Sequence, residues 1–218
     1  MGEMIKLTAA DGHTLDAYRA MPDGAPKGGI VLLQEIFGVN SHIREVADSY
    51  ARDGYLVIAP ALFDRAEPGI ELGYSQGDIK EGLDHRAKIA EADALSDVAA
   101  AAKAAREGGS VSVIGYCWGG SLAYLAACRL TSIDKAVSFY GGQVARDIEE
   151  EPKVPIILHF GDSDSSIPMS DVEKVRKRRP DLPVYIYEAG HGFKCNHRES
   201  FDAEAAKLAR KRTLDFIA

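Results

Sequence analysis

The chain has 218 residues with a net charge of −7, 46% apolar residues and 27% charged residues. This balance is typical of soluble globular proteins, and the length allows one domain, spanning 1–218, with a well-buried core. The negative charge disfavours nucleic acid and anionic membranes as partners, because both are polyanions. No apolar run approaches the roughly 18 residues needed to span a bilayer. The first residues lack a secretory pattern, and the three cysteines lack disulfide-type spacing, so we expect a cytoplasmic protein.

The first part of the chain predicts a hairpin followed by a strand, a helix and a strand. Residues 4–9 and 14–21 are short extended segments on either side of an Asp-Gly turn signal. The run 28–34 is continuously apolar, as expected of a strand buried on both faces. Apolar residues recur at helical spacing over 42–54, and a second buried strand follows at 55–60.

A polar, glycine-containing stretch, 61–84, separates these elements from the rest of the chain and predicts a loop or a lid. An alanine-rich helix is expected over 86–106. Strand and helix patterns then alternate: strand 110–116, helix 119–129, strands 135–141 and 154–162, helix 169–179, strand 184–190 and helix 202–217. Solidly apolar strands that alternate with helices indicate one α/β domain, a mainly parallel sheet with helices on both faces.

Ligands of such sheets bind at the carboxyl ends of the strands, so the residues there are the functional candidates. The sequence "VIGYCWGGS" at 113–121 places Cys117 where a strand turns into a helix. A nucleophile on such a sharp turn needs small neighbours, and a helix N-terminus favours a thiolate. The same stretch also allows a cofactor-binding turn or a buried small residue that fits a crowded corner.

A thiol nucleophile needs a base, and the base needs an acceptor that orients it. The segment "GDSDSSIP" offers Asp162 and Asp164 after one strand, and "EAGHGF" offers His191 after the next. The order cysteine, aspartate, histidine is the order of nucleophile, acid and base in α/β-hydrolases. His159 lies within a buried strand and is expected in the core. The set His191, Cys195 and His197 matches no standard zinc spacing, so we expect no metal.

Five segments together resemble the dienelactone hydrolase (carboxymethylenebutenolidase) family: "QEIFGVN", "GYCWGG", "GDSDSSIP", "AGHGF" and "RKRTLDF". They run from residue 34 to residue 216 and cover essentially the whole domain. The resemblance implies an α/β-hydrolase fold and a cofactor-free thiol hydrolase that acts on a small lactone or ester through a thioacyl-enzyme. It also implies a triad of Cys117 as nucleophile, His191 as base and Asp164 as acid.

The resemblance gives further residues a role. Glu35 matches a glutamate that holds and releases the nucleophile's proton. The backbone N–H groups of Ile36 and Trp118 would form the oxyanion hole. Arg65 matches an arginine that binds a substrate carboxylate, which suits its guanidinium fork; its alternative is a surface arginine paired with a neighbouring acid.

The expected pocket residues are Phe37, Tyr140 and Phe193, at or near the strand ends. One position departs from the family. Members that prefer dienelactone carry a second arginine four residues after the catalytic histidine, and this chain has Cys195 there. Lys194 or Arg198 could compensate with a different geometry. The expected substrate is therefore a small ester or lactone, with carboxylate-bearing molecules included.

Two other classes of protein compete with a hydrolase. A nucleotide-binding domain would use "GYCWGG" as a phosphate turn, but the dinucleotide fingerprint needs glycine where Cys117 stands. A catalytically weak α/β-hydrolase scaffold would bind a small molecule or a protein instead. The presence of all three triad residues favours the enzyme over both.

Overall fold

The computed structural model describes residues 2–218. These residues fold around one eight-stranded sheet. The strands are β1 (Glu3–Thr8), β2 (Thr14–Ala20), β3 (Gly29–Leu33), β4 (Leu56–Pro60), β5 (Val111–Tyr116), β6 (Lys135–Phe139), β7 (Ile156–Gly161) and β8 (Val184–Tyr187). Their order across the sheet is β1-β2-β4-β3-β5-β6-β7-β8. β2 pairs antiparallel with β1 on one side and with β4 on the other. The strands from β3 to β8 are parallel to one another. The predicted α/β-hydrolase fold with a mainly parallel sheet is confirmed.

Residues 2–218 contain seven α-helices, of which the last follows the final strand: α1 (Ser41–Arg52), α2 (Gln76–Arg86), α3 (Glu91–Ala105), α4 (Trp118–Arg129), α5 (Val144–Asp147), α6 (Met169–Arg178) and α7 (Ala203–Ile217). The longest, α3 and α7, have 15 residues each. Within residues 2–218, none of the helices has the length and apolar character required to traverse a bilayer.

The sheet is buried on both faces because successive strand residues point to opposite sides. In β3, Ile30 and Leu32 belong to one apolar cluster together with residues of α1 and α7. Their neighbours Val31 and Leu33 belong to a second cluster that contains the alanine-rich face of α3. All four side chains have no exposed surface. The continuous apolar run is therefore explained by two cores, one on each side of the sheet.

The expectation of a loop over 61–84 is wrong for its last third. A short 3₁₀ turn covers Leu62–Arg65, and α2 begins at Gln76. Ser75 and Asp78 form a capping box that starts this helix. The alanine-rich helix begins only at Glu91, because residues 87–90 form a turn between α2 and α3. Helix α2 was missed because its apolar residues are few and two glycines interrupt them.

Candidate active site

Four loops that follow parallel strands meet at one edge of the sheet. Glu35 follows β3, Cys117 follows β5, Asp164 follows β7 and His191 follows β8. Because parallel strands all end at the same edge, residues far apart in the sequence become neighbours there. The candidate site is thus assembled by the topology of the sheet rather than by any local motif.

Cys117 stands on a sharp turn between β5 and α4 with a backbone φ of 54° and ψ of −114°. A positive φ is costly for a residue with a side chain and persists only where the surroundings enforce it. Two glycines make the turn possible: a Cβ on Gly115 would lie 1.8 Å from the carbonyl oxygen of Gly119, and a Cβ on Gly119 would lie 2.5 Å from that of Gln34. The turn therefore presents the Cys117 side chain, which is partly exposed, at the first turn of α4.

The His191 imidazole lies between Cys117 and Asp164. Its Nδ1 is 2.8 Å from Asp164 Oδ2, and its Nε2 is 3.2 Å from Cys117 Sγ. Asp164 is fixed in turn, because its Oδ1 accepts hydrogen bonds from the backbone N–H groups of Ser166 and Ile167. A carboxylate can only accept, so Nδ1 carries a proton and Nε2 is the atom that exchanges a proton with the sulphur.

The surroundings of His191 decide its charge. Burial by itself would lower the pKa of His191, but the hydrogen bonds with Asp164 and Cys117 outweigh it and raise that pKa to about 10. At neutral pH the imidazole is therefore expected to hold both ring protons. A cysteine that has passed its proton to such a histidine is an activated nucleophile.

A cavity of about 350 Å³ lies against Cys117 and His191. Ile36, Phe37 and Trp118 line it, and the N–H of Trp118 belongs to the first residue of α4, where no intrahelical acceptor exists. Arg86 and Arg198 also line it, and no carboxylate of residues 2–218 does. A larger groove of about 620 Å³ runs between β8 and α7, but Cys117, Asp164 and His191 do not line it. The smaller cavity is therefore the candidate substrate site, because Cys117 and His191 line it.

Comparison with known proteins identifies the family to which this chain belongs. The model of the Dienelactone hydrolase family matches residues 15–218. A carboxymethylenebutenolidase of Pseudomonas putida is 34% identical, with 99% of this chain and 96% of that protein covered. This chain belongs to the dienelactone hydrolase family. The crystal structure of a candidate dienelactone hydrolase from Klebsiella pneumoniae superposes with a TM-score of 0.81 at 30% identity, and 98% of each chain is covered.

A more distant structure shares the fold alone: a dienelactone hydrolase-like promiscuous phosphotriesterase from metagenomic libraries, with a TM-score of 0.76 at 20% identity over 99% of this chain and 97% of that one. Family membership makes the protein a carboxylic ester hydrolase. The substrates that suit the family are small lactones and esters, in agreement with a cavity of this size.

In this dienelactone hydrolase family member, Arg65 does not reach the cavity. Its guanidinium binds Asp97 through two hydrogen bonds, 2.9 Å from Nε and 2.7 Å from Nη2, and it binds Asp11 as well. The Asp97 side chain has no exposed surface, and a buried carboxylate needs a paired cation. The structure therefore gives Arg65 a structural ion pair in place of the substrate contact expected from the sequence. Its partners are not the neighbouring acids but residues 54 and 32 positions away.

Tyr140 and Phe193 are also not cavity residues within the described chain. Both are fully buried, and their ring centroids lie 5.5 Å apart. Tyr140 packs behind the imidazole, with 5.1 Å between its ring centroid and that of His191. Of the three expected pocket aromatics, only Phe37 lines the cavity. The other two form the apolar support that keeps the His191 loop in place.

Glu35 lies at the site but makes no hydrogen bond to Cys117 within the described residues. Its side chain is 1% exposed, and neither carboxylate oxygen has a hydrogen-bond partner in the part of the chain described. The expected hydrogen bond between Glu35 and the Cys117 thiol is therefore not formed, because Cys117 Sγ faces His191. The nearest cation is Arg198, with 3.6 Å between Nη1 and Glu35 Oε1. Burial raises the pKa of Glu35 against the opposing influence of Arg198.

Sequence reasoning missed Arg86 as a neighbour of the site. It is the last residue of α2, a helix that was not predicted. The sequence feature that could have indicated this helix is the capping box formed by Ser75 and Asp78. It marks the start of α2 and therefore places Arg86 within the helix, near its end. Helix α2 packs directly on the loop after β3, since a Cβ on Gly82 would lie 1.9 Å from the carbonyl oxygen of Ile36.

Proposed function

We propose that the protein hydrolyses small lactones and esters through a thioacyl-enzyme on Cys117. The observation that carries this proposal is the continuous hydrogen-bonded line from Asp164 through His191 to Cys117 Sγ, at the wall of a cavity sized for a small molecule. In this line His191 serves as acid and base, and Asp164 holds the imidazole in its working tautomer.

The reaction proceeds in two steps. The Cys117 sulphur, having given its proton to His191 Nε2, forms a bond to the substrate carbonyl carbon. The negative charge moves to the carbonyl oxygen, which accepts hydrogen bonds from the N–H groups of Ile36 and Trp118. The carbon–oxygen bond to the leaving alkoxide then breaks, and His191 supplies its proton. In the second step a water molecule loses a proton to His191, attacks the thioester and releases Cys117.

For Glu35 we propose a role in storing the thiol proton when Cys117 is turned away from His191. Its buried carboxyl has a raised pKa and unpartnered oxygens, so it can hold a proton at a pH where exposed glutamates are ionised.

The catalytically weak binder considered above remains the competing function. Turnover of p-nitrophenyl acetate and simple lactones, measured with a chelator present, supports the enzyme. A silent substrate panel together with an unreactive Cys117 would support the binder.

Replacing His191 with glutamine should slow the alkylation of Cys117 by iodoacetamide at neutral pH by about 30-fold. The reason is that the variant has no base to take the proton of Cys117, and a thiol without such a base is only a few per cent thiolate at pH 7. Mass mapping of the Cys117 peptide over time measures the rate. An unchanged rate in the glutamine variant would contradict the proposed ion pair.

We further propose that the cavity favours substrates with a carboxylate, because two arginines and no described acid line it. Replacing Arg86 with glutamine should raise KM for a carboxylate-bearing lactone by about 10-fold or more, the usual value of a charged hydrogen bond, and leave KM for a neutral ester unchanged. Lys80→Gln is the matched control on the same helix, since Lys80 is exposed, paired with Asp84 and outside the cavity. An equal rise in KM for both substrates would contradict the proposal that Arg86 binds the substrate carboxylate.

A further inference from the structure

Three buried side chains with metal-binding atoms meet behind the cavity wall. Glu35 comes from the loop after β3, His42 from α1, and Cys195 from the loop after β8. A carboxylate oxygen, an imidazole nitrogen and the thiol sulphur all lie within 4.8 Å of one another. Each residue is at most 1% exposed. Only Glu35 has a part in the proposed hydrolysis, so the cluster needs an explanation of its own.

Two of the three residues in this cluster, Glu35 and His42, carry buried polar atoms without a hydrogen-bond partner. Within residues 2–218, both oxygens of Glu35 and the Nε2 of His42 are buried and unpartnered. Buried polar atoms are nearly always satisfied, because leaving them unpaired costs free energy. Here the unsatisfied atoms belong to two residues from different elements, and these residues meet Cys195 at one place. Unpaired acceptor atoms grouped in this way indicate that a ligand completes the cluster.

His42 is oriented as a metal ligand would be. Its Nδ1 lies 3.1 Å from Asn196 Oδ1, an acceptor, so Nδ1 carries the proton and Nε2 presents its lone pair. A histidine that binds a metal commonly donates its other N–H to an oxygen in this way.

We propose that Glu35, His42 and Cys195 bind a soft divalent cation of the zinc class. Sulphur, nitrogen and carboxylate oxygen are the donors that zinc uses, whereas magnesium and calcium prefer oxygen alone. Zinc sits about 2.0–2.3 Å from such donors, so small side-chain rotations would close the present spacing. As the cation binds, Cys195 loses its thiol proton to solvent, and Glu35 also releases to solvent the proton that it holds. The resulting thiolate and the Glu35 carboxylate offset the two positive charges, and a fourth position is left for water.

The proposed cation site differs from the one that the sequence spacing offered. His191 is engaged with Cys117 and Asp164, and His197 pairs with Glu45, 2.9 Å from Nε2 to Oε2. Cys195 therefore meets a different histidine, His42, which lies near the opposite end of the sequence. Sequence spacing could not reveal this grouping, because it depends on how α1 packs against the loop after β8.

Binding at this cluster would compete with Arg198 for Glu35. The Arg198 guanidinium lies 3.6 Å from Glu35 Oε1, above the rings of Phe37 and Tyr74, and it lines the catalytic cavity. A cation on Glu35 would repel Arg198 toward the cavity and withdraw Glu35 from its proposed proton-storing role. The cluster is thus coupled to the active site by one shared carboxylate, while its existence does not depend on the proposed hydrolysis.

The test is a titration of the full-length Cys117→Ala protein with Co²⁺, a spectroscopic substitute for zinc. Removing Cys117 leaves Cys195 as the thiol under test and separates metal binding from hydrolysis. We expect one equivalent to bind with a thiolate-to-cobalt charge-transfer band that Zn²⁺ displaces. The added substitution Cys195→Ser should abolish the band, and Glu35→Gln or His42→Gln should weaken binding by about 100-fold or more, beyond the usual effect of losing an outer-shell partner.

Cys128→Ser in the same background is the matched control, because Cys128 is buried in α4 and belongs to no such cluster. It should bind cobalt as the parent does, and circular dichroism should show every variant folded. If Cys195→Ser does not fold, the Glu35 and His42 variants decide the question. The proposal is overturned if cobalt gives no thiolate band, or if the band survives the loss of Cys195 or of both other ligands.

Discussion

Replacing Cys117 with alanine should lower kcat for small esters and lactones by about 10⁴-fold or more, as expected when a triad nucleophile is removed. Alanine keeps the Cβ and the backbone strain of the turn, so the fold and the cavity should be unchanged. The loss would then report the missing sulphur and not a rearranged site. Steady-state kinetics with p-nitrophenyl acetate, together with thermal melting, measures both properties.

The control for this variant is Cys128→Ala, which removes a buried thiol on α4, the helix that follows Cys117, at a point away from the cavity. It should keep full activity apart from a small loss of stability, because the cavity left by one sulphur is small. Turnover by Cys117→Ala at the parental rate would end the proposal of a cysteine nucleophile. Equal losses in both variants would indicate a general effect of thiol removal on the fold.

Replacing Asp164 with asparagine should lower kcat by a similar factor, about 10⁴-fold, through the tautomer of His191. Asp164 Oδ1 already accepts two backbone hydrogen bonds, so the single amide oxygen of asparagine is expected to stay there. Its NH₂ group would then face His191 Nδ1 and donate to it. The remaining ring proton would move to Nε2, where it points at Cys117 and prevents the histidine from accepting the thiol proton.

Asp162→Asn provides the matched control in the same loop. Asp162 is exposed and accepts a hydrogen bond only from the Ser163 hydroxyl among the side-chain contacts described. Its replacement should leave kcat within about twofold, as is usual for surface positions. Because Asp164 also helps to raise the pKa of His191 to about 10, that pKa should be lower in the Asp164 variant when the His191 ring is titrated by NMR. A fully active Asp164→Asn protein would contradict the proposed triad.

The sequence was informative where chemistry coincides with a strand end. Cys117, Asp164 and His191 could be expected to lie together because apolar runs mark the strands, and parallel strands must end at a common edge. The glycines that flank Cys117 indicate a tight turn on their own, because only a residue without a side chain fits where strand and helix approach so closely. Family resemblance was needed to choose Asp164 over Asp162, since both follow the same strand.

The sequence failed where the outcome depends on packing between distant elements. Arg65 was expected to face substrate, but the buried carboxylate of Asp97 on α3 takes its guanidinium. Tyr140 and Phe193 end up in the core because their rings pack on each other and behind His191. Nothing local distinguishes an aromatic residue that lines a cavity from one that lies a layer below it.

For Glu35, the sequence predicted the position of the residue but not its neighbours. The strand end and the family motif placed it correctly at the edge of the site. Its neighbours could not be read from the sequence, because His42 and Cys195 reach it from opposite ends of the chain. A burial pattern can predict that a carboxylate is enclosed, but only the tertiary structure shows which atoms face it.

The most direct measurement is the site of acylation during turnover of a hindered ester such as p-nitrophenyl trimethylacetate, whose acyl-enzyme should hydrolyse slowly. The protein is mixed with ester, quenched in acid within the first turnovers and digested for mass mapping. We expect one acyl group per chain, on the peptide that contains Cys117, formed as fast as p-nitrophenol is released. Release of p-nitrophenol with Cys117 unmodified, or with the acyl group on another residue, would contradict it.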